Sequence, residues 1–395
     1  MSRGPMENEA AAARPVVIRP CAGYSEAEAR SALEAVLAPL GGLHWVKPGM
    51  CVAIKANLIT AIRPENAATT HPALLGALTR LLLERGARVV IGDSPGGVFN
   101  RVYVERVYEV CGLRALEDLG AALNRDFRQR DQAFPQGKVL KSFTVTSWLD
   151  EADAVINFCK LKVHAMMAMT AATKNLFGIV PGAVKAEYHY RFPRYEDFAD
   201  MLVDLNEYLK PRLNICDAVV AMEGNGPTQG TPKALGAILA SESPYALDLA
   251  AAWLLDLKKE DVPYLEAAYR RGLIPAEAGL LTVDGDPAAF RPRDFKNVAA
   301  RSGITHFFKG NGPVSRLTQR AVGSILQNAP RLDAAGCVGC GVCARSCPAE
   351  AITIEDKKAK IDRKRCIRCF CCQELCPKGA MRVHRPLAAR IAGKL

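Results

Sequence analysis

Two runs of cysteine with the same spacing lie near the C-terminus of this 395-residue chain. In each run the cysteines are separated by two, two and three residues, and a proline follows the last one. The runs are Cys337, Cys340, Cys343, Cys347 and Pro348, then Cys366, Cys369, Cys372, Cys376 and Pro377. A Cys-x-x-Cys turn directs two thiolates to one centre, so the spacing indicates metal ligands.

The repeated spacing resembles that of bacterial ferredoxins and predicts two [4Fe–4S] clusters in a ferredoxin-like domain. The first three cysteines of a run hold one cubane, and the fourth ligates the other. The predicted ligands are Cys337, Cys340, Cys343 and Cys376 for cluster one, and Cys366, Cys369, Cys372 and Cys347 for cluster two. Zinc is the alternative metal, but eight cysteines without a histidine among them favour iron.

The remaining cysteines do not follow this pattern. Cys371 lies beside a predicted ligand, and we interpret it as a packed free thiol, with a redox role as the alternative. Five others are scattered through the first 216 residues. Crowded cysteines can also form disulfides, but we expect a reducing cytoplasm, where metal binding is favoured.

A second group of reactive side chains lies in the segment 158–182, FCKLKVHAMMAMTAATKNLFGIVPG. Three lysines and a histidine close together favour binding of a carboxylate, a phosphate or a developing oxyanion, and a desolvated lysine can act as an acid. The catalytic candidates are Lys162, His164 and Lys174, and the substrate-binding candidates here are Lys160 and Asn175. The alternative is that these side chains are solvated charges of a loop.

Further substrate-binding candidates follow other predicted strands. They are Lys55, Asn57, His71, Asp93, Glu223 and Asn225. His71 begins a predicted helix, whose dipole would lower the pKa of its imidazole. For His71, Asp93, Glu223 and Asn225 the alternative is a purely structural role in a helix start or a turn. The sequence has neither a dinucleotide fingerprint nor a Walker loop.

Strand-like and helix-like segments alternate over the first 300 residues. Predicted strands begin at 16, 51, 88, 152, 213 and 234, and predicted helices span 25–40, 70–85, 101–119, 169–178, 193–209 and 244–257. This alternation predicts an α/β fold, a mainly parallel sheet with helices on both faces, whose strand ends form one crevice. We expect a disordered tail over 1–14, the α/β domain over 15–330, a small α+β cluster domain over 331–385 and a tail over 386–395.

The formal charge of +11 raises the question of nucleic-acid binding. Residues 331–395 contain 14 Lys and Arg against six Asp and Glu, so most of the excess surrounds the predicted clusters, whose thiolates offset part of it. The basic run has no interleaved aromatic residues for base stacking, which argues against nucleic acid. No apolar run is long enough to span a bilayer, and the N-terminus lacks a secretory signal, so we expect a cytoplasmic protein without a membrane partner.

The order of several short segments is similar to that of the iron–sulfur members of the domain-of-unknown-function 362 family. These segments are KANL, TTHP, GDSPGG, KLKVH, KNLFGIVPG and MEGNGP, followed by the paired cysteine runs. The resemblance extends over about residues 50–377. It implies a cytoplasmic α/β protein, often fused to a two-cluster ferredoxin domain, with a reductase or redox-coupled role.

Two functions follow from these patterns. The first is an iron–sulfur oxidoreductase that passes electrons from a ferredoxin or reductase donor to a small anionic or carbonyl substrate in the crevice. The second is a non-catalytic electron-transfer protein whose large domain docks a redox partner. A nucleic-acid protein with structural clusters is a third reading, and steep salt dependence of DNA binding would support it.

Overall fold

A mixed β-sheet forms the centre of the larger domain in the computed structural model, which describes residues 14–298, 328–384 and 386. The strands before the cysteine runs are β1 Val16–Pro20, β2 Cys51–Lys55, β3 Arg88–Gly92, β4 Ala122–Leu123, β5 Gln129–Ala133, β6 Ser142–Thr146, β7 Ala154–His164, β8 Ala168–Thr170, β9 Leu213–Glu223, β10 Thr231–Ser241 and β11 Val283–Asp284. Within these residues, nine strands form one sheet in the order β11-β1-β10-β9-β7-β2-β3-β4, with β8 paired to β7. Strands β9, β7, β2, β3 and β4 are parallel, whereas β10 is antiparallel to its neighbours β9 and β1.

Helices cover both faces of the sheet. Those of the larger domain are α1 Glu26–Leu37, α2 Pro72–Leu83, α3 Arg101–Val110, α4 Ala172–Asn175, α5 Val184–Arg191, α6 Tyr195–Leu209, α7 Pro244–Leu254 and α8 Pro263–Arg270. One core lies under α1, α2 and α3, and the other under α6, α7 and α8. Burial of apolar side chains on both sides of the sheet holds these layers together. The predicted α/β fold is therefore confirmed.

Several helix boundaries differ from the prediction, and two of these differences have a local cause. Helix α2 has His71 as its N-cap rather than Thr70, and the Nδ1 atom of His71 accepts a hydrogen bond of 3.2 Å from the amide of Ala73. Helix α3 ends at Val110, not at residue 119, and Gly112 beyond it adopts a left-handed φ of +74°. Glycine tolerates this conformation, which stops the helix.

The segment 160–164 is strand rather than loop, which corrects the prediction. It continues β7, which pairs in parallel with β9 and, at its end, in antiparallel with β8. These partners on both sides keep the backbone extended past the expected strand end. The helix predicted over 169–178 is instead the end of β8, then α4 and a 3-10 turn at Leu176–Ile179.

The cysteine-rich domain consists of two antiparallel strand pairs and two short helices. Its elements are β12 Ala329–Leu332, α9 Val342–Arg345, β13 Ile352–Glu355, β14 Lys358–Ile361, α10 Cys371–Glu374 and β15 Met381–His384. Strand β12 pairs with β15, and β13 pairs with β14 in an antiparallel hairpin. Of the predicted tails, 1–13 and 387–395 lie outside the described residues.

Candidate active site and cysteine-rich domain

A cavity of about 700 Å³ lies where the C-terminal ends of the parallel strands meet the cysteine-rich domain. Helices α9 and α10 contribute Arg345, Cys371 and Glu374 to its wall. Six of the residues proposed from sequence line it: Asn57, Asp93, Lys162, His164, Lys174 and Asn175. Five others, Lys55, His71, Lys160, Glu223 and Asn225, are not part of this lining.

His164 joins the two domains at the cavity wall. Its Nδ1 atom accepts hydrogen bonds from the backbone amides of Met166 and Met167, at 3.1 and 3.2 Å. The proton of the neutral imidazole is therefore on Nε2, which lies 2.9 Å from Oε1 of Glu374. Burial, and then the ammonium of Lys174, lower the pKa of His164 to about 4.

Glu374 brings a carboxylate from the cysteine-rich domain into this wall. Burial acts to raise its pKa, but His164 and Lys174 outweigh burial and lower the pKa of Glu374 to about 2. Neutral pH thus leaves an ionised carboxylate beside an uncharged imidazole, which is a hydrogen bond rather than an ion pair.

Lys162 lies at the base of the cavity and is almost fully buried. Its Nζ atom donates to Oδ1 of Asn57 at 2.7 Å and to the carbonyl of Ala68. Burial, and then the charge of Lys174, lower the pKa of Lys162 to about 7. An amine with this pKa can both give and take a proton near neutral pH.

Lys174 places a second cation in the wall. Its Nζ atom lies 5.6 Å from the ring centroid of Phe177. Burial lowers the pKa of Lys174, and the carboxylate of Glu374 counteracts that effect. No hydrogen bond joins Lys174 Nζ to any other described residue, so this ammonium group can bind an anion in the cavity.

Lys55, which lies behind the lining, forms a buried ion pair with Asp93. Lys55 Nζ lies 2.7 Å from Oδ1 of Asp93, whose Oδ2 accepts the amide of Leu58 at 2.8 Å. Gly178 leaves room for this pair, because a Cβ atom at that position would lie 2.2 Å from Asp93 Oδ1 and 2.5 Å from Lys55 Nζ. The Lys55 amine thus supports the cavity from below and does not line it.

A row of four asparagines crosses the sheet beneath the cavity. Asn57 donates to Asn175 at 2.7 Å, Asn175 donates to Asn157 at 2.8 Å, and Asn157 donates to Asn214 at 2.9 Å. All four side chains are buried. Each amide fixes the orientation of the next, so Asn57 and Asn175 reach the lining in a set direction.

A second polar cluster holds two of the proposed residues outside the cavity. Lys160 Nζ lies 2.7 Å from Oδ2 of Asp217 and donates to the hydroxyl of Tyr24 at 2.9 Å. The ring of His71 stacks on Tyr24 with centroids 3.6 Å apart. Burial, rather than the predicted effect of the helix dipole, is the largest cause lowering the pKa of His71, to about 4.

Glu223 and Asn225 also hold structure together instead of lining the cavity. The carboxylate of Glu223 accepts the amide of Lys296 at 2.9 Å. Asn225 Oδ1 accepts the amide of Val383, and the carbonyl of Asn225 accepts a bond from the side chain of Gln373. The segment 222–227 thus fastens the cysteine-rich domain to the sheet.

Several lining residues are not among those predicted from sequence. Ser94, Lys185, His189 and Glu374 all line the cavity. Ser94 belongs to the GDSPGG segment that follows β3, and Lys185 Nζ donates to its hydroxyl at 3.1 Å. Glu374 lies among the cysteines, where no local pattern indicates that α10 faces the larger domain.

The cysteines of the small domain come together as two groups of four. One small cavity is lined by Cys337, Cys340, Cys343 and Cys376, the set that the spacing assigns to cluster one. The thiol of Cys372 interacts electrostatically with those of Cys369, Cys366 and Cys347, the set that the spacing assigns to cluster two, and also with that of Cys343. Among the described residues, no group of three or more His, Cys, Asp or Glu could hold a single metal ion. Separated thiols around a common space fit a cubane, in which each thiolate holds its own iron.

The second cysteine run is anchored in the larger domain by Phe370. This side chain is 1% exposed and belongs to the core beneath α6 to α8. Nearby, the hydroxyl of Tyr195 donates to the carbonyl of Arg368. Cys371, which lies next to Phe370 and outside the repeated cysteine spacing, is buried and lines the cavity.

Comparison with known proteins decides the family. Residues 52–253 match the family model of a domain of unknown function, DUF362. The chain belongs to the DUF362 family. It is 34% identical over 299 residues to the thylakoid-associated protein sll1697 of Synechocystis sp. (strain ATCC 27184 / PCC 6803 / Kazusa). The matched region covers 72% of this chain and 92% of that protein.

The cysteine-rich domain has its own match, since residues 329–377 fit the family model of a 4Fe-4S dicluster domain. This DUF362 protein therefore carries an iron–sulfur domain of ferredoxin type. A solved structure, the lactate racemase apoprotein of Thermoanaerobacterium thermosaccharolyticum, superposes with a TM-score of 0.39 at 12% identity. The superposition covers 65% of this chain and 60% of that chain. None of the helices in the described ranges has the length and hydropathy that crossing a bilayer requires.

Proposed function

We propose that this protein is an iron–sulfur oxidoreductase that passes electrons from two [4Fe–4S] clusters to a substrate bound between its domains. One observation carries the proposal: the cavity is lined by strand ends of the α/β domain and by the helix of the second cysteine run. Cys371 in that lining is the immediate neighbour of Cys372, a predicted ligand of cluster two. When bound, the clusters supply single electrons at low potential.

The charges of the lining favour a small anionic or carbonyl substrate. Lys174 offers an ammonium group without a hydrogen-bond partner among the described residues, which suits a carboxylate or a carbonyl oxygen that gains charge on reduction. We assign the role of proton donor to Lys162, whose pKa of about 7 matches that role. Neutral His164 is held between two amides and Glu374, so it acts as a positioning residue.

The proposal includes a cytoplasmic location and a ferredoxin or reductase as electron donor. None of the 14 cysteines, all within the described residues, is in a disulfide, as a reducing compartment favours.

Cluster reoxidation tests the proposal with a panel of candidate acceptors. The protein is reconstituted without oxygen, where we expect about eight irons and the EPR signal of reduced cubanes. The reduced protein is then mixed in stopped flow with unsaturated carboxylates and 2-oxo acids, and the absorbance of the clusters is followed. We expect at least one of these compounds to reoxidise the clusters, and the proposal fails if none does.

Variants of the two lysines identify the route. We expect Lys162→Met and Lys174→Gln to slow reoxidation about 100-fold or more, with an unchanged EPR signal. Lys160→Met is the matched control for Lys162→Met, because Lys160 is a buried lysine on the same strand, β7, and lies outside the cavity. Equal reoxidation rates in all three variants would contradict the roles assigned to Lys162 and Lys174. If the variants lose binding of a redox protein at unchanged cluster potentials, the second function, docking without catalysis, is correct.

A further inference from the structure

The two cysteine runs have the same spacing but different surroundings. The loop of the second run is covered by the larger domain through Phe370, whose counterpart in the first run is Gly341. Both residues adopt left-handed φ angles, +66° and +75°, directly before α10 and α9. The backbone conformation before the short helix is therefore the same in both runs. Only the second run has a side chain at that position, and it is buried in the α/β core.

In the first run, α9 also contributes to the cavity wall, but the loop before α9 remains at the surface. Cys340 is exposed, and Val338 between the first two cysteines is 57% exposed. Val338 lines the same small cavity as the predicted ligands of cluster one, so an apolar contact point lies beside them at the surface. The described part of the larger domain leaves this apolar side chain uncovered.

Lysines surround this exposed loop. The backbone of Lys357 packs on the loop, because the carbonyl oxygen of Lys357 would lie 2.6 Å from a Cβ atom at Gly339, whose φ is +69°. Lys358 Nζ donates to the carbonyl of Cys337 at 2.7 Å. Lys378 lines the same small cavity as the cluster-one cysteines.

The acidic side chains near this exposed loop are fewer than the lysines, and most of them are paired with a cation. Asp333 lies 2.9 Å from Arg382, and Glu355 is paired with Lys360. Asp356 is exposed beside Lys357 and opposes part of its charge. Lys357 and Lys378 are exposed, so their charge is directed outward.

We propose that cluster one is the electron acceptor and that the surface formed by Val338, Cys340, Lys357 and Lys378 docks a small acidic electron-transfer protein. One electron from the reduced centre of that protein would enter the cluster held by Cys337, Cys340, Cys343 and Cys376, and would move from there to the cluster of the second run, which lies nearer the cavity. Opposite charges accelerate and orient such an encounter, and the exposed valine supplies its apolar centre. The inference rests on the proposed function for the direction of electron flow.

The probe is a reduced plant-type [2Fe–2S] ferredoxin, mixed with the reconstituted, oxidised full-length protein in the absence of any substrate. We compare the wild type with Lys357→Glu/Lys378→Glu. Arg363→Glu/Lys364→Glu is the matched control, because it makes the same charge change at exposed positions just before the second cysteine run. Reduction of the cubanes is followed in stopped flow, and binding of oxidised ferredoxin by surface plasmon resonance.

At low ionic strength we expect the first variant to reduce the second-order rate constant about tenfold or more, to weaken binding by a similar factor, and to flatten the salt dependence. The control variant should change either quantity less than about threefold. Equal effects of both variants, a larger effect of the control, or no effect on binding would overturn the proposal. Photoreduced deazaflavin must reduce all three proteins at one rate, which shows that their clusters are intact.

Because these measurements need no turnover, their outcome is independent of the search for a substrate. If ferredoxin reduces cluster one as expected but no acceptor is found, the docking surface stands and the proposed oxidoreductase reaction falls. If an acceptor is reduced but the two charge reversals behave alike, the reaction stands and the docking surface falls.

Discussion

Nε2 of His164 lies 2.9 Å from Oε1 of Glu374, so a strand of the α/β domain and a helix of the iron–sulfur domain meet in one contact. Because Nδ1 of His164 is already an acceptor for two amides, Nε2 can only donate. Glu374 thus orients this imidazole and attaches it to the second domain, whereas burial keeps the imidazole neutral.

Replacing Glu374 tests this contact. Glu374→Gln keeps an acceptor for Nε2 but removes the carboxylate charge beside Lys174, so it should be less stable than the wild type and more stable than Glu374→Leu. Glu374→Leu leaves a buried N–H without a partner and should reduce the free energy of unfolding by about 1–3 kcal/mol. Urea denaturation of the reconstituted protein measures both, and equal stability of the two variants would contradict the assignment of a hydrogen bond.

Gly178→Ala tests the space beside the buried Lys55–Asp93 pair. The added methyl group would overlap both charged groups, so we expect a loss of about 1–3 kcal/mol or more. Gly279→Ala is the control, since no atom lies within 4 Å of its added Cβ. In thermal denaturation, we expect Gly178→Ala to have a lower melting temperature than the wild type and Gly279→Ala to have an unchanged one. A similar melting temperature for both variants would show that Lys55 and Asp93 can shift to accommodate the methyl group.

Phe370→Ala tests the anchor of the second cysteine run. Truncating a phenylalanine in a core costs about 3–5 kcal/mol, and alanine is no better suited than phenylalanine to a φ of +66°, so no relief of backbone strain offsets this cost. We expect faster hydrogen exchange at the amide of Val383, which bonds Asn225 across the domain boundary. Val102→Ala, at a side chain that is 83% exposed, should change neither exchange nor stability.

The lowered pKa of His71 predicts that the protein loses stability in mild acid. Its folded pKa of about 4 lies below the ordinary value, so the neutral form stabilises the fold fully above about pH 6.5 and this contribution is lost as pH falls toward 4. The full shift corresponds to about 3 kcal/mol, which partial exposure of the ring reduces to about 1–2 kcal/mol. His71→Asn retains a capping oxygen and should flatten this dependence in urea denaturation at pH 4 to 7. His44→Asn, at an exposed position, should not.

Much of the fold follows from local patterns. Ser25 and Glu28 form the capping box of α1, where the sequence predicts a serine cap, and the repeated cysteine spacing places four thiols around one cavity. Asn57 and Lys162 reach a common crevice because parallel strands end at the same edge of a sheet. The capping box depends only on neighbours in the chain, and the other two features follow from general rules of cysteine spacing and sheet topology.

Other features depend on partners that the sequence does not name. Asn157 and Asn214 become neighbours only when β7 pairs with β9 in one register. Lys160 is as cationic as Lys162, but it lies opposite Asp217 in that register and is neutralised there. Glu374 lies in the cavity wall next to Phe370, whose side chain is buried in the core of the larger domain. That burial brings together residues that are far apart in the chain, so the sequence does not reveal it.

The division of the cavity wall between two domains has a consequence for how the protein matures. The α/β residues are synthesised first, and their half of the chamber has an open side until α10 arrives from the last part of the chain. Assembly of the iron–sulfur domain therefore closes the chamber, and in the proposed function the same step supplies its source of electrons. A chain that has not acquired its metal centres would present Lys162 and Lys174 to water, without a competent pocket around them.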